Sequence, residues 1–210
     1  MHMKKLILTL VLVCLLVGAA AAQEQDAQTP KARIQEGMDN LIAMLSDPKM
    51  QEPEHHDEAI AELRKVAEQF IDFGLVTKFA VGRPWLDMSP QMRTDLTNAF
   101  VRLLERSYLK RIPAYEGQRI EYKNEVVSGK KAKVLTEIFD KDKKIIVEFR
   151  LRIVDGRWMI YDVVAEGVSL VMNYRSQFSA VLDSGTPEDL LRLINEKVEK
   201  IDEVQKSEGQ

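Results

Sequence analysis

His55 and His56 are the first residues to test for chemistry, because imidazole is both the commonest metal ligand and the usual general base near neutral pH. They are adjacent, and consecutive positions on a helix or a strand point in diverging directions, so the pair does not converge on one metal. Their Pro-Glu-rich surroundings instead read as a solvated linker. Asp162 and Glu166 have the types of an acid/base pair, yet no histidine or metal-ligand pattern accompanies them, and salt-bridging or helix capping is the expected role. Gly167-Val168-Ser169 runs on into Leu170 and Val171, so it is no nucleophile elbow, and Ser169 is expected to cap a helix. Neither an H-E-x-x-H pattern nor a phosphate-binding loop occurs. The chain is therefore not expected to be an enzyme, and no cofactor is called for.

What remains is apolar surface. Gly156 to Phe178 joins an aromatic and β-branched strand to an amphipathic helix through Ala165-Glu166-Gly167. Phe70, Phe73, Phe79, Phe100, Tyr108 and Tyr115 fall on predicted helices or their ends. Phe149, Trp158, Tyr161, Tyr174 and Phe178 fall on predicted strands and the helix that follows them. Such residues fill a core or line a cavity, and periodicity alone does not separate the two.

The elements that must position them are legible. Ile34, Met38, Leu41, Ile42 and Leu45 recur at helical spacing, ending near Asp47-Pro48, and Pro48 to Pro53 is a linker. Ile60, Leu63, Ala67, Phe70 and Ile71 mark a second helix, stopped or bent at Gly74; Leu75 to Val81 continues to a break at Gly82-Arg83-Pro84. Ser89-Pro90 opens a third helix with a serine cap and a proline in the first turn. Its stripe is Met92, Leu96, Ala99, Phe100, Leu103 and Leu104, with Tyr108 one turn on. From Gln118 the period becomes two, giving strands at 119–127, 131–139, 144–154 and 157–164, with Asp155-Gly156 as a two-residue hairpin turn. In the third strand Ile145, Val147, Phe149, Leu151 and Ile153 share a face opposite Glu148, Arg150 and Arg152. Helices at 169–182 and 187–204 close the chain, the second started by Thr186-Pro187-Glu188-Asp189. The fold class expected is α+β: helices packed on one face of a curved, four-stranded antiparallel meander in a single domain.

Lys4 and Lys5, the apolar Leu6 to Val17 and Ala20-Ala21-Ala22 have the form of a cleaved secretory signal, too short to span a membrane. The expected organisation is a signal peptide over 1–22, a loose segment over 23–30, one domain over 31–204 and a fraying tail over 205–210. Cys14, the single cysteine, falls within the signal, so the exported chain has no disulfide and relies on its core. The chain carries 30 Lys+Arg against 33 Asp+Glu, net −3, and removal of Lys4 and Lys5 takes this to −5. That balance argues against nucleic-acid or general anionic-membrane binding, both of which want a basic excess.

Trp158 to Leu170, W-M-I-Y-D-V-V-A-E-G-V-S-L, continuing to Asn173-Tyr174-Arg175-Ser176-Gln177-Phe178, resembles the MlaC family. These are the periplasmic phospholipid-binding components of the Mla lipid-asymmetry transport system, also called the toluene-tolerance family. A second block agrees: Val81-Gly82-Arg83-Pro84-Trp85, Met92-Arg93, Phe100 to Leu104 and Ser107-Tyr108. The resemblance implies a monomeric periplasmic carrier with an apolar cavity between helices and sheet. Its cargo would be phospholipid, exchanged between an outer-membrane lipoprotein complex and an inner-membrane ABC transporter bearing an MCE domain. A carrier of another membrane lipid such as a hopanoid is the alternative, and a cavity enzyme a more distant one. Tyr108 and Val168 are expected on the cavity wall, in the company of Phe100, Leu104, Val147, Phe149, Tyr161, Val163 and Met172. Tail-based recognition implies weak head-group selectivity. Arg102, Arg106 and Lys110, with Arg93 nearby, read as a solvated stripe or as the rim for a lipid phosphate or an acidic docking surface.

Overall fold

The computed structural model describes residues 28–48, 56–108 and 117–208. The signal-like N-terminus with Cys14, most of the linker with His55, and Lys110 and Tyr115 lie outside the described residues.

Thr29 accepts a hydrogen bond from the Ala32 N–H (3.1 Å), and Pro30 takes the first helical position, so α1 spans Pro30–Leu45. Helix α2 (His56–Phe70) ends earlier than Gly74. The chain there meets the sheet: Ile71 bridges in parallel to Ile160, and the Asp72 N–H donates to the Ile160 carbonyl at 3.0 Å. Asp72 then caps the next helix, its Oδ1 accepting from the Leu75 N–H (2.8 Å), and α3 runs Phe73–Val81. A 3₁₀ turn over Arg83–Asp87 leads to α4 (Pro90–Tyr108), with Ser89 Oγ accepting from the Met92 N–H (3.2 Å).

Gly82 is required by its neighbour. It sits at φ 79°, and a Cβ there would come within 2.9 Å of the Arg175 guanidinium. Arg175 donates to the Phe79 carbonyl (3.3 Å), placing a cation at the C-terminus of α3 where the helix dipole favours it. Two sequence blocks far apart in the chain thus meet at one contact.

The sheet comprises β1 (Arg119–Ser128), β2 (Lys131–Asp140), β3 (Lys143–Val154), β4 (Arg157–Ala165) and β5 (Val168–Ser169), hydrogen-bonded in that order and antiparallel throughout. The expectation of four strands is corrected to five. Glu166 and Gly167 adopt φ of 49° and 80°, as Asp155 and Gly156 do at 48° and 78°, so both pairs make tight hairpin turns. The second turn folds Val168-Ser169 back on Val164-Ala165, and this short strand carries no two-residue alternation by which to recognise it. Helices α5 (Leu170–Leu182) and α6 (Pro187–Glu208) complete the chain. Thr186 and Asp189 cap α6 reciprocally: the Asp189 N–H donates to Thr186 Oγ1 (3.2 Å) and the Thr186 N–H to Asp189 Oδ2 (2.9 Å). Those Thr186 hydrogen bonds hold the Asp189 carboxyl below the usual carboxylate range.

Apolar residues collect in two cores. One lies among the helices, where Phe100 meets Tyr174 and Phe178 edge-on at 4.7 and 5.1 Å beside Leu96, Leu190 and Ile194. The other joins Ile34 and Phe70 to the sheet at Val134, Leu151 and Ile160. Buried Arg33 ties the second together, stacking on Phe70 (4.1 Å) and donating to the Gln69 and Trp158 carbonyls. Among the described residues, no helix is long and apolar enough to cross a membrane.

Candidate functional site: an apolar cavity between the cores

Between the two cores lies a cavity of about 500 Å³. Helix α4 lines it with Val101, Leu104, Glu105 and Tyr108, a stripe at i, i+3, i+4 and i+7. This is not the stripe that fills the helical core. Leu96, Ala99, Phe100 and Leu103 face Tyr174 and Phe178, so α4 buries two faces, one against protein and one against open space. Arg64, Ala67, Phe73 and Val76 from α2 and α3 form the second wall, with Ile71 between them. The strand wall is Ile160, Asp162, Val163 and Ala165, extended by Val168, Leu170 and Asn173.

A β-bulge shapes that strand wall. Arg150 pairs with Asp162 and Leu151 with Ile160, leaving Tyr161 as the extra residue on β4. Side chains three apart on a regular strand point to opposite faces. The bulge resets the alternation, so Ile160 and Val163 face the same way, each opposite an apolar β3 partner, Leu151 and Phe149. Tyr161 itself packs edge-on against Phe79 at 5.1 Å, and burial raises its phenol pKa.

Polar groups on the wall are few, and its two buried carboxylates, Asp162 and Glu105, are both engaged. Asp162, 3 % exposed, accepts from the Val171 N–H (3.0 Å), Ser169 Oγ (2.7 Å) and Arg150 Nη1 (3.1 Å). Ser169 Oγ in turn accepts from the Met172 N–H (3.0 Å), so the capping roles expected of Asp162 and Ser169 are those observed. Glu105 forms a two-pronged ion pair with Arg64, whose guanidinium pKa is raised chiefly by that hydrogen bonding. Arg64→Ala leaves the Glu105 carboxylate, 10 % exposed, without its partner beside apolar surface. The 3–5 kcal/mol typical of a broken buried pair is reduced here because Arg64 is 40 % exposed, and a loss of about 2 kcal/mol in urea unfolding is expected. The double variant Arg64→Leu/Glu105→Leu should recover most of it; a double variant as unstable as the single one would contradict that account.

Of the nine residues expected on the wall, the structure brings Leu104, Tyr108, Val163 and Val168 to the cavity. The other five lie elsewhere. Phe100 is fully buried in the helical core because the cavity stripe of α4 begins one residue further round. Val147 and Phe149 lie on β3, one strand behind Ala165 and Val163. Tyr161 is the bulged residue under Phe79, and Met172 stands half-exposed in the first turn of α5. Tyr174 and Phe178 also turn away from the cavity, into the helical core. Tyr174 is buried enough to push its phenol up to about 12. The described members of the basic stripe are taken up by the fold: Arg106 pairs with Asp202 (2.9 Å), Arg102 reaches Asn195 (3.0 Å), and Arg93 binds the Trp85 and Leu86 carbonyls. Sequence reasoning missed Arg64, Ile71, Val76, Val101, Glu105 and Ile160. The spacing of Val101, Leu104 and Tyr108 was the available signal for the α4 face; the Arg64–Glu105 pair, 41 residues apart, offered none.

A second chamber, of about 650 Å³ and more polar, adjoins the first and shares Arg64, Ile71, Phe73 and Val101 with it. No cluster of potential metal ligands occurs among the described residues.

Residues 35–196 match the family model described as MlaC protein. The fold is similar to the solved structure of a phospholipid-binding protein from Ralstonia solanacearum in complex with a phospholipid. The TM-score is 0.72 and the sequences are 20 % identical, over 84 % of this chain and 98 % of that one. At that identity the likeness is one of fold.

Proposed function

The chain belongs to the MlaC protein family, and from that membership we propose that it carries phospholipid through the periplasm with its acyl chains in the cavity between α2, α3, α4 and β4. The observation that carries this is the cavity wall. It is built mostly from aliphatic and aromatic side chains, and its two buried carboxylates are already engaged, Glu105 by Arg64 and Asp162 by the Val171 N–H, Ser169 and Arg150. A site with no free nucleophile or general base offers surface instead of chemistry, which favours a carrier over a cavity enzyme.

Magnitudes agree with the role. Each methylene in water costs about 0.8 kcal/mol, so a lipid with two sixteen-carbon chains resists leaving its membrane by roughly 20 kcal/mol or more. Spontaneous transfer is negligibly slow, and a carrier must offer comparable apolar shelter. An apolar cavity of 150 Å³ holds benzene, about 25 Å³ per carbon; 500 Å³ therefore holds about 20 carbons. That is close to one acyl chain, so a two-chain lipid extends its second chain along the exposed apolar rim of Val168, Tyr108 and Met172. An open rim also favours release, since cargo only partly enclosed is more easily passed on.

The finer part of the proposal is exchange between an outer-membrane lipoprotein complex and an inner-membrane ABC transporter with an MCE-type subunit, in support of outer-membrane lipid asymmetry. The Mla resemblance of the Trp158 to Phe178 block supports it. Native mass spectrometry of protein purified without detergent tests the cargo. Phospholipid in near-stoichiometric amount is expected. A bound hopanoid would redirect the assignment to another lipid, and an empty protein would overturn it.

A further inference from the structure

Strand β1 is an edge of the sheet, and its two ends are defended differently. At the start, Arg119, Glu121 and Lys123 charge the edge, and the register breaks between Tyr122 and Glu125. Charge and bulging are two devices by which sheet edges avoid further pairing. Beyond the break, Val126-Val127-Ser128 carries neither. Successive strand residues face opposite ways, so a half-buried strand hides one valine of such a pair. Here Val126 is 62 % exposed and Val127 50 %. Helix α1 meets β1 at Glu125, whose carboxylate accepts from the Lys31 N–H (2.7 Å), and leaves Val127 half exposed.

The outer face beside this edge is basic. Val126 lies opposite Lys133, and Lys133 opposite Arg150; Ser128 lies opposite Lys131, and Lys131 opposite Arg152. Like charges directly opposite destabilise a sheet. Glu148 relieves the first pair, at 3.6 Å from Lys133 and 2.8 Å from Arg150. Lys131 and Arg152 have no ion-pair partner among the described residues. Lys130, exposed in the β1–β2 turn, adds a further cation. A chain of net charge −3 thus keeps a basic patch, with its repulsion only partly relieved, against an unpaired edge.

We propose that Val126-Val127-Ser128 is a docking edge to which an extended segment of a partner protein adds as a further strand. Its acidic side chains lie towards Lys131, Lys133 and Arg152, and its apolar ones cover Val127. In such strand addition, backbone hydrogen bonds supply affinity and alternate side chains supply specificity. Charge selects the occupant, because a second copy paired by two-fold symmetry brings the same basic rows towards each other. The docking edge lies towards the Asp155-Gly156 end of the sheet, whereas the cavity mouth lies at the other end, where Ala165 pairs with Val147. A carrier held here keeps its mouth clear.

The probes are a labelled peptide alternating glutamate and valine, its lysine–valine counterpart, and the glutamate peptide N-methylated along its backbone. Fluorescence anisotropy with the full exported chain should show saturable binding of the glutamate peptide, weakened about tenfold in 1 M salt. The other two peptides should each bind about tenfold more weakly or worse, one for want of negative charge and the other for want of backbone donors. The double variant Lys131→Glu/Lys133→Glu, checked by circular dichroism for folding, should lose the glutamate peptide and gain the lysine one. Bound lipid should stay unchanged throughout, so the outcome is independent of the cargo. Equal binding of the N-methylated peptide overturns strand addition, and an affinity that the double variant leaves intact overturns the role of the basic patch. Failure of the glutamate peptide to bind overturns the docking edge. Co-sedimentation with phosphatidylglycerol vesicles that the double variant abolishes would instead assign the patch to a membrane surface. A concentration-dependent dimer that Val126→Lys disperses would assign the edge to a second copy, and either result overturns the proposal.

Discussion

Val168→Glu is expected to strip bound phospholipid from the protein at least tenfold while leaving the fold intact. Val168 opens the two-residue strand β5, lines the cavity, and is nonetheless 63 % exposed. That combination is what makes the prediction sharp. Substitutions at exposed positions outside caps and cores usually change stability by no more than about 0.5 kcal/mol. A carboxylate here, however, faces the place where methylenes would lie. It must either lose its hydration against hydrocarbon, which costs several kcal/mol, or keep its water and deny that wall to the chain. Tyr108→Asp attacks the same mouth from α4. Mass spectra of purified variants, with thermal melts alongside, make the comparison. Wild-type lipid content in both variants would sink the wall assignment, whatever their stability.

Asp162→Ala should destabilise the protein by about 3–5 kcal/mol, the largest stability loss anticipated at the site. Its carboxylate gathers the Val171 N–H at the start of α5, the hydroxyl of the Ser169 cap, and the Arg150 guanidinium from β3. Removing it orphans a helix N-terminal N–H and leaves Arg150 with Glu148 alone (2.8 Å). For a chain of this size the loss corresponds to roughly 6–20 °C in Tm. Asp162→Asn keeps an acceptor for Val171 while losing the charge, so it should fall between wild type and alanine. Denaturant unfolding decides the matter: a loss below about 1 kcal/mol for alanine would show that Ser169 and Arg150 hold the β4–α5 junction without it. Because Leu170 and Asn173 follow that junction onto the cavity wall, lipid retention should fall together with stability.

Much of this was legible locally. Asp155-Gly156 demanded a tight turn because a left-handed pair of residues matches the twist of the flanking strands. Ser89, Ser169 and Thr186 announced helix starts because their oxygens satisfy N–H groups within the next three residues. The second-helix boundary was less legible. Gly74 is the conspicuous breaker, yet α2 stops at Phe70 because Ile71 and Asp72 are held by the backbone of Ile160, far along the chain in β4. Likewise β5 is too short for any period, and the Tyr161 bulge leaves a sequence indistinguishable from an unbroken strand.

The sequence by itself determined the order of the helices and of the first four strands, most of the caps and turns between them, and membership of the MlaC family, because these rest on neighbours and on ungapped motifs. It also marked which side chains avoid water. Only the tertiary structure decided what those side chains face. Phe100 and Leu104 lie one helical turn apart on α4, and both satisfy an apolar period, but one meets Tyr174 and Phe178 while the other meets the cavity. Filled core and open wall make the same demand on residue type. The difference is the distance between elements, set here by a bulge, an early helix end and an ion pair spanning 41 residues.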